Sequence, residues 1–182
     1  MTLYPANGAS ILPREDYDAV LSCARGAQAV IEFGPGLTTL ALFEAGVPYV
    51  ESFEHELKWA RRAQMRREPM KPAHVCWRVR RYKATRTKLP RPYLARRYDL
   101  GVVDGPQGGD KWQGPPGYEM ASRYIQLKYA LEHCERVLLH DAQRPGERES
   151  LRLAGCRWEM ITGKFALCWM WPRHSLTGLR KA

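Results

Sequence analysis

Residues 30–39 read Val-Ile-Glu-Phe-Gly-Pro-Gly-Leu-Thr-Thr, a short apolar run that passes through an acid into a glycine-rich turn. With Ala29 in front, Val30 and Ile31 have the apolar, partly β-branched character of a central strand in a parallel sheet. Gly34 and Gly36 permit positive φ and remove side chains where a ligand must approach closely. Thr38 and Thr39 lead a helix that stops near Gly46, so the loop lies where unpaired N–H groups and the helix dipole favour a carboxylate or phosphate. A lone Gly-x-Gly is equally a plain tight turn, and the next strand decides between the two readings.

Residues 47–53, VPYVESF, read as that strand, and it ends on Glu54-His55, eighteen residues beyond Gly36. A carboxylate at the tip of a second strand can accept hydrogen bonds from both hydroxyls of a ribose. Two nucleoside cofactors then compete. The dinucleotide fingerprint asks for a third glycine where this chain has Thr39, and it does not ask for the acid, Glu32, that stands two residues before Gly34.

Glu32-Phe33-Gly34-Pro35-Gly36 with Thr38 and Thr39, followed by Ser52-Phe53-Glu54-His55-Glu56 and Trp59, resembles the class I S-adenosylmethionine-dependent methyltransferases. Tyr98-Asp99-Leu100-Gly101-Val102-Val103-Asp104-Gly105-Pro106 is similar to their fourth strand, which ends in an acid beside the reactive centre. Arg136-Val137-Leu138-Leu139-His140-Asp141, with Arg144, Pro145, Gly146 and Glu147 behind it, is similar to their fifth strand and its loop. The similarity spans roughly residues 28–172. It departs at the third strand, where many relatives carry an acidic or small polar residue near the adenine and this chain has Cys76-Trp77-Arg78-Val79-Arg80-Arg81-Tyr82.

The resemblance implies a three-layer α/β Rossmann-like fold with a mostly parallel seven-stranded sheet and an antiparallel last strand. It implies S-adenosylmethionine as cofactor, with Glu32, Gly34, Pro35, Gly36, Thr38 and Thr39 at its methionine end. Glu54 and His55 fall at the ribose, and Asp104 and Gly105 beside the reactive centre.

A chain of 182 residues forms one domain with a real core, able to bury around 70% of its unfolded surface. Residues 1–26 are expected to form an N-terminal helical cap, in which Pro13 suits the first helical position and Tyr17, Val20, Leu21 and Ala24 share a face. Residues 173–182 read as a polar tail. No apolar run approaches the roughly 20 residues of a membrane helix, and nothing at the N-terminus reads as a leader. Cys23, Cys76, Cys134, Cys156 and Cys168 lack Cys-x-x-Cys spacing, which fits a reduced, cytoplasmic setting.

Further helices are expected at 56–67, 119–134 and 146–154, a third strand near 74–79, and a final strand pair at 158–162 and 165–172. In the last of these Trp169 and Trp171 alternate with Cys168 and Met170, so one face reads as buried and the other as partly wet. Residues 107–118, QGGDKWQGPPGY, follow the fourth strand and read as a lid with Trp112 and Tyr118 as contacts. Residues 58–97 hold 15 of the 29 Lys and Arg but only Glu68 of the 19 acids, a net +14 against −4 for the rest. Such a field is either a solvated face or an attractor of nucleic acid, of a phosphorylated or acidic small molecule, or of a membrane surface, with Trp77, Tyr82 and Tyr93 as candidate stacking surfaces.

Methyl transfer from a sulfonium needs a nucleophile lone pair held in line with the methyl, so positioning can supply much of the rate. A hydroxyl acceptor needs a base as well. Asp104 is the first candidate, with His140 and Asp141 on the adjacent strand tip. A divalent cation shared by Asp104 and Asp141 is the less favoured alternative, while Asp141 as a helix cap and His140 as a plain edge histidine are the structural ones. The resulting expectation is a methyltransferase acting on a small-molecule acceptor by O-methylation. A nucleic-acid methyltransferase using residues 58–97 and a non-catalytic S-adenosylmethionine-binding module are the alternatives.

Overall fold

The computed structural model of the chain describes residues 3–4, 12–82, 89, 94, 97–105, 121 and 123–170. Helix α1 (Arg14–Ala24) is followed by β1 (Ala29–Phe33), α2 (Leu37–Glu44), β2 (Tyr49–Glu54), α3 (Leu57–Arg67) and β3 (Cys76–Arg81). The second half runs β4 (Tyr98–Val103), α4 (Tyr124–His133), β5 (Cys134–Leu139), α5 (Pro145–Ala154), β6 (Arg157–Met160) and β7 (Ala166–Trp169).

The strands form one seven-stranded sheet in the order β3-β2-β1-β4-β5-β7-β6. All neighbours from β3 to β5 pair in parallel, and β7 runs antiparallel to both β5 and β6. β1 and β4 are adjacent, with Glu32 opposite Val102, so the strand order reverses between them. The crevice at that reversal, beyond the carboxyl ends of the strands, is where open α/β sheets bind ligands.

Alternation along each strand sends successive side chains to opposite layers. Val30, Val50, Leu100, Val102 and Leu138 pack with Tyr17, Val20, Leu40 and Phe43 from α1 and α2. Ile31, Phe33, Phe53, Val103, Val137 and Leu139 pack with Leu127, Ala130 and Leu131 from α4 and Leu151 from α5. Three layers result.

The apolar stripe read for α1 is the one it buries, namely Tyr17, Val20, Leu21 and Ala24. Its N-terminal half is fixed by two polar contacts. The Tyr17 hydroxyl donates to Glu44 Oε2 at 2.8 Å, and the Thr162 hydroxyl donates to Asp16.

Some boundaries move. Cys134 leaves the fourth helix and opens β5, which ends at Leu139, so His140 and Asp141 lie in the loop beyond it. β7 is buried on both faces, because it lies inside the sheet between β5 and β6, with both helical layers covering it. The expected lid at 107–118, Pro106, Tyr93, Trp171 and the tail lie outside the described residues. No helix among the described residues is long and apolar enough to cross a membrane, and all five cysteines are free.

Candidate functional site

The first loop is held from beneath by Glu32. Sheet alternation turns this residue to the same side as Val30, under the start of α2, where it is fully buried. The hydroxyls of Thr38, Thr39 and Ser52 donate to its carboxylate at 2.5, 2.8 and 2.7 Å. Gly36 N–H in turn donates to Thr39 Oγ1 at 2.9 Å. Burial pushes the Glu32 carboxyl up to about 7 against the pull of the three hydroxyls, with the Asp104 charge adding to the rise. Glu32, Thr38 and Thr39 therefore brace the loop with their side chains, which face the interior.

The two glycines do different things. Gly34 has φ 83°, and a Cβ there would meet the Asp104 carbonyl oxygen and Gly105 nitrogen at 3.0 Å. The close approach that requires Gly34 is thus to the β4 loop. Gly105 answers it from the other side, since its own Cβ would come within 3.1 Å of Gly34 Cα. Around Gly36, by contrast, a Cβ would meet only the Gly34 carbonyl oxygen among the described residues, at 3.9 Å. The open side of the loop is at Pro35 and Gly36.

Glu54 ends β2 beside this loop and is 6% exposed. Its Oε1 accepts from the backbone N–H of His55 at 2.7 Å and of Glu56 at 3.0 Å, and His55 Nδ1 lies 2.9 Å away. Oε2 has no hydrogen bond among the described residues, so half of the carboxylate is held rigid and half is left to accept.

Asp104 and His140 meet because of register. Val102 pairs with Leu138 and Val103 with Leu139, so the next residue on each strand lies at the same level and on the α2 side of the sheet. Their contact is Asp104 Oδ1 to His140 Nδ1 at 2.6 Å. The N–H direction lies off that line, and both ring nitrogens are buried with no completed hydrogen bond among the described residues. The Asp104 side chain is 23% exposed and the His140 side chain 10%, so the carboxylate faces the crevice and the imidazole stands behind it, 4.7 Å from the Phe165 ring.

Asp141 turns away. Its φ of 58° directs the chain toward the α4 layer, where Arg123 Nη2 donates to its Oδ2 at 3.1 Å and Arg144 Nη1 lies 2.9 Å from it. Arg123 also donates to the His140 carbonyl at 2.6 Å and lies 3.7 Å from Glu147. Asp141 is thereby committed to two guanidiniums, neither capping α5, whose cap position is Arg144, nor standing free as a base. Its Oδ2 remains 3.5 Å from His140 Nδ1, the same ring nitrogen that Asp104 approaches. No group of three or more His, Cys, Asp or Glu among the described residues is arranged to hold a metal ion.

Arg123 and Ser52 belong to the site in addition to the residues expected from the sequence. Ser52 had a signal, because a parallel β1–β2 register puts it opposite Glu32. Arg123, one of 29 basic residues, had none.

The aromatic candidates of the basic segment are also reassigned. Trp77 is buried and donates to Ser52 Oγ at 2.8 Å, and Tyr82 packs on Phe33 and Phe53 at 6% exposure. Arg80 is paired at 2.7 Å with the fully buried Glu51 carboxylate, which also accepts from the Tyr98 hydroxyl.

No protein-family model matches the chain, and no curated protein sequence does so significantly. Solved structures match it in fold. A methyltransferase-like protein from Silicibacter pomeroyi superposes with TM-score 0.57 at 16% identity, over 87% of this chain and 86% of that one. The O-methyltransferase TomG from Streptomyces achromogenes, in complex with S-adenosylmethionine, gives 0.56 at 19% identity, over 84% and 78%. A dimethyladenosine transferase from Plasmodium falciparum gives 0.51 at 12% identity, over 86% and 60%. The fold is that of the class I S-adenosylmethionine-dependent methyltransferases. Its neighbours include proteins named O-methyltransferase and one named a putative RNA methyltransferase, so the fold leaves the acceptor open.

Proposed function

We propose that the chain is an S-adenosylmethionine-dependent methyltransferase that methylates a hydroxyl of a small-molecule acceptor. The observation that carries this reading is the convergence of Glu54 and the Asp104–His140 pair on either side of the Gly34–Gly36 loop, at the reversal of strand order.

The residues fit the cofactor. Glu54 has one oxygen fixed by backbone donors and one left to accept from a ribose, and the loop is open at Gly36 where a methionine end would approach. When bound, the sulfonium supplies an electrophilic methyl. The protein's part is to place an acceptor oxygen in line and to take its proton. Asp104 is the exposed carboxylate that receives this proton. His140, 2.6 Å behind it, either shares the proton or stabilises the charged carboxylate between turnovers. Arg123 and Asp141 hold the His140 backbone and ring in place, which makes them positioning residues.

The test is turnover with labelled methyl donor and a panel of hydroxyl acceptors. Asp104→Asn keeps size and hydrogen-bonding capacity while removing the base. Turnover should fall by roughly 10² or more, and affinity for the cofactor should change by less than about tenfold. Near-normal turnover in this variant would remove Asp104 from the reaction. A carboxylate acting through a metal predicts loss of wild-type activity on chelation, and one acting as a base predicts none.

A further inference from the structure

Helix α3 carries LKWARRAQMRR, five cations and no acid, and buries only Ala60 and Ala63 against the sheet. Lys58, Trp59, Arg61, Arg62, Met65 and Arg66 are exposed, and the side chains of Leu57, Lys58, Arg61, Arg62, Met65 and Arg66 frame an open hollow on this face. None of Lys58, Arg61, Arg62 or Arg66 makes an ion pair among the described residues.

This arrangement works against the helix. Lys58 sits in the first turn, where the macrodipole disfavours a cation. Lys58 and Arg62, and Arg62 and Arg66, are like charges one turn apart, which destabilise an isolated helix. A face shaped for solvation alone would place acids at those spacings. Arg66, in the last turn, is the only one of the four that the dipole favours.

We propose that the outward face of α3 is a docking surface for single-stranded nucleic acid. The cations recur on successive turns, about 5.4 Å apart along the axis, and present a line of donors to a phosphate chain. Trp59, 45% exposed with the Arg62 guanidinium 5.0 Å from its ring centre, supplies a stacking platform of the kind that binds bases without regard to sequence. A bilayer is a poor match. The centre of the exposed face is cationic, and Leu57 and Met65 are scattered on it without forming the apolar stripe that membrane-surface helices bury. The helix starts three residues after Glu54, so a strand laid along it has one end at the mouth of the strand-tip site. The surface stands apart from that site and does not depend on the methyl-transfer reading.

The experiment measures anisotropy of a labelled single-stranded uridine oligonucleotide of about 20 nucleotides titrated with the full chain. Binding is expected at about 50 mM salt and should weaken roughly fiftyfold by about 200 mM, as four neutralised phosphates on a single strand require. Arg61→Gln, Arg62→Gln and Arg66→Gln together should reduce the salt slope by about 2, with the melting temperature unchanged. Trp59→Leu should weaken binding by roughly tenfold across sequences. If the triple variant melts early, Arg61→Gln and Arg66→Gln singly carry the test from opposite ends of the face. No binding at low salt, a salt slope unmoved by these variants, or tighter binding to phosphatidylserine vesicles or polyglutamate would overturn the proposal. Calorimetry with S-adenosylmethionine reads the other site separately.

Discussion

At the strand tips the buried charges are answered from within the protein, whereas on α3 four exposed cations have no counter-ion among the described residues. Three hydroxyls converge on Glu32, two guanidiniums on Asp141, and Arg123 in turn meets Asp141, Glu147 and the His140 carbonyl. Buried charge without such compensation is expensive, so the tips are rigid and set in advance. Exposed charge costs little to leave unpaired, and its field reaches outward for about a Debye length. One region is shaped to hold a defined ligand in one pose, and the other to attract a flexible anion.

The largest effect that would break this contrast is at Arg123. Replacing it with Met removes the buried guanidinium that Asp141 and Glu147 share, leaving Arg144 on Asp141, and unfolding free energy should drop by about 3–5 kcal/mol in denaturant titration. A drop below about 1 kcal/mol would mean that the brace is already wet.

Next in size is Glu32. Its carboxyl titrates at about 7 in the folded chain against 4.5 for the ordinary group, so the native state holds a proton that the unfolded state releases. The stability contributed by the protonated form is full below the unfolded value and is lost as pH rises to the folded one. The sum is about 3 kcal/mol, and Glu32→Gln should abolish this slope. Identical pH dependence in the variant would place the titration elsewhere.

On α3 the same kind of measurement should give almost nothing. The Arg61, Arg62 and Arg66 replacements should change stability by under about 0.5 kcal/mol, or raise it slightly by relieving repulsion. A loss above about 1 kcal/mol would mean that these side chains support the fold, and the contrast with the tips would fail.

The sheet was legible in the sequence because its signals are local and repeated. Apolar runs at 29–31 and 100–103 belong to central strands, and glycines at 34 and 36 follow the first of them. Asp104 and His140 could be placed at adjacent tips because both follow such runs. The finer assignments depended on parity and partners. His140 and Asp141 are consecutive, and the left-handed turn at Asp141 sends the second carboxylate to Arg123 instead of to Asp104. The contact that demands glycine at position 34 is with a loop 70 residues away, which no local pattern announces. Net charge over 58–97 marks the basic region but does not separate Arg80, bound to a buried glutamate, from the arginines of α3, which make no ion pair among the described residues.

If the pre-set tips hold S-adenosylmethionine, titration calorimetry on the folded chain will register it. The wild type should bind the cofactor or its demethylated product, and Glu54→Ala should weaken that binding by about 2 kcal/mol, roughly thirtyfold, because a charged group able to accept from the ribose is lost. Failure of the folded wild type to bind either molecule, or equal binding in the variant, would contradict it.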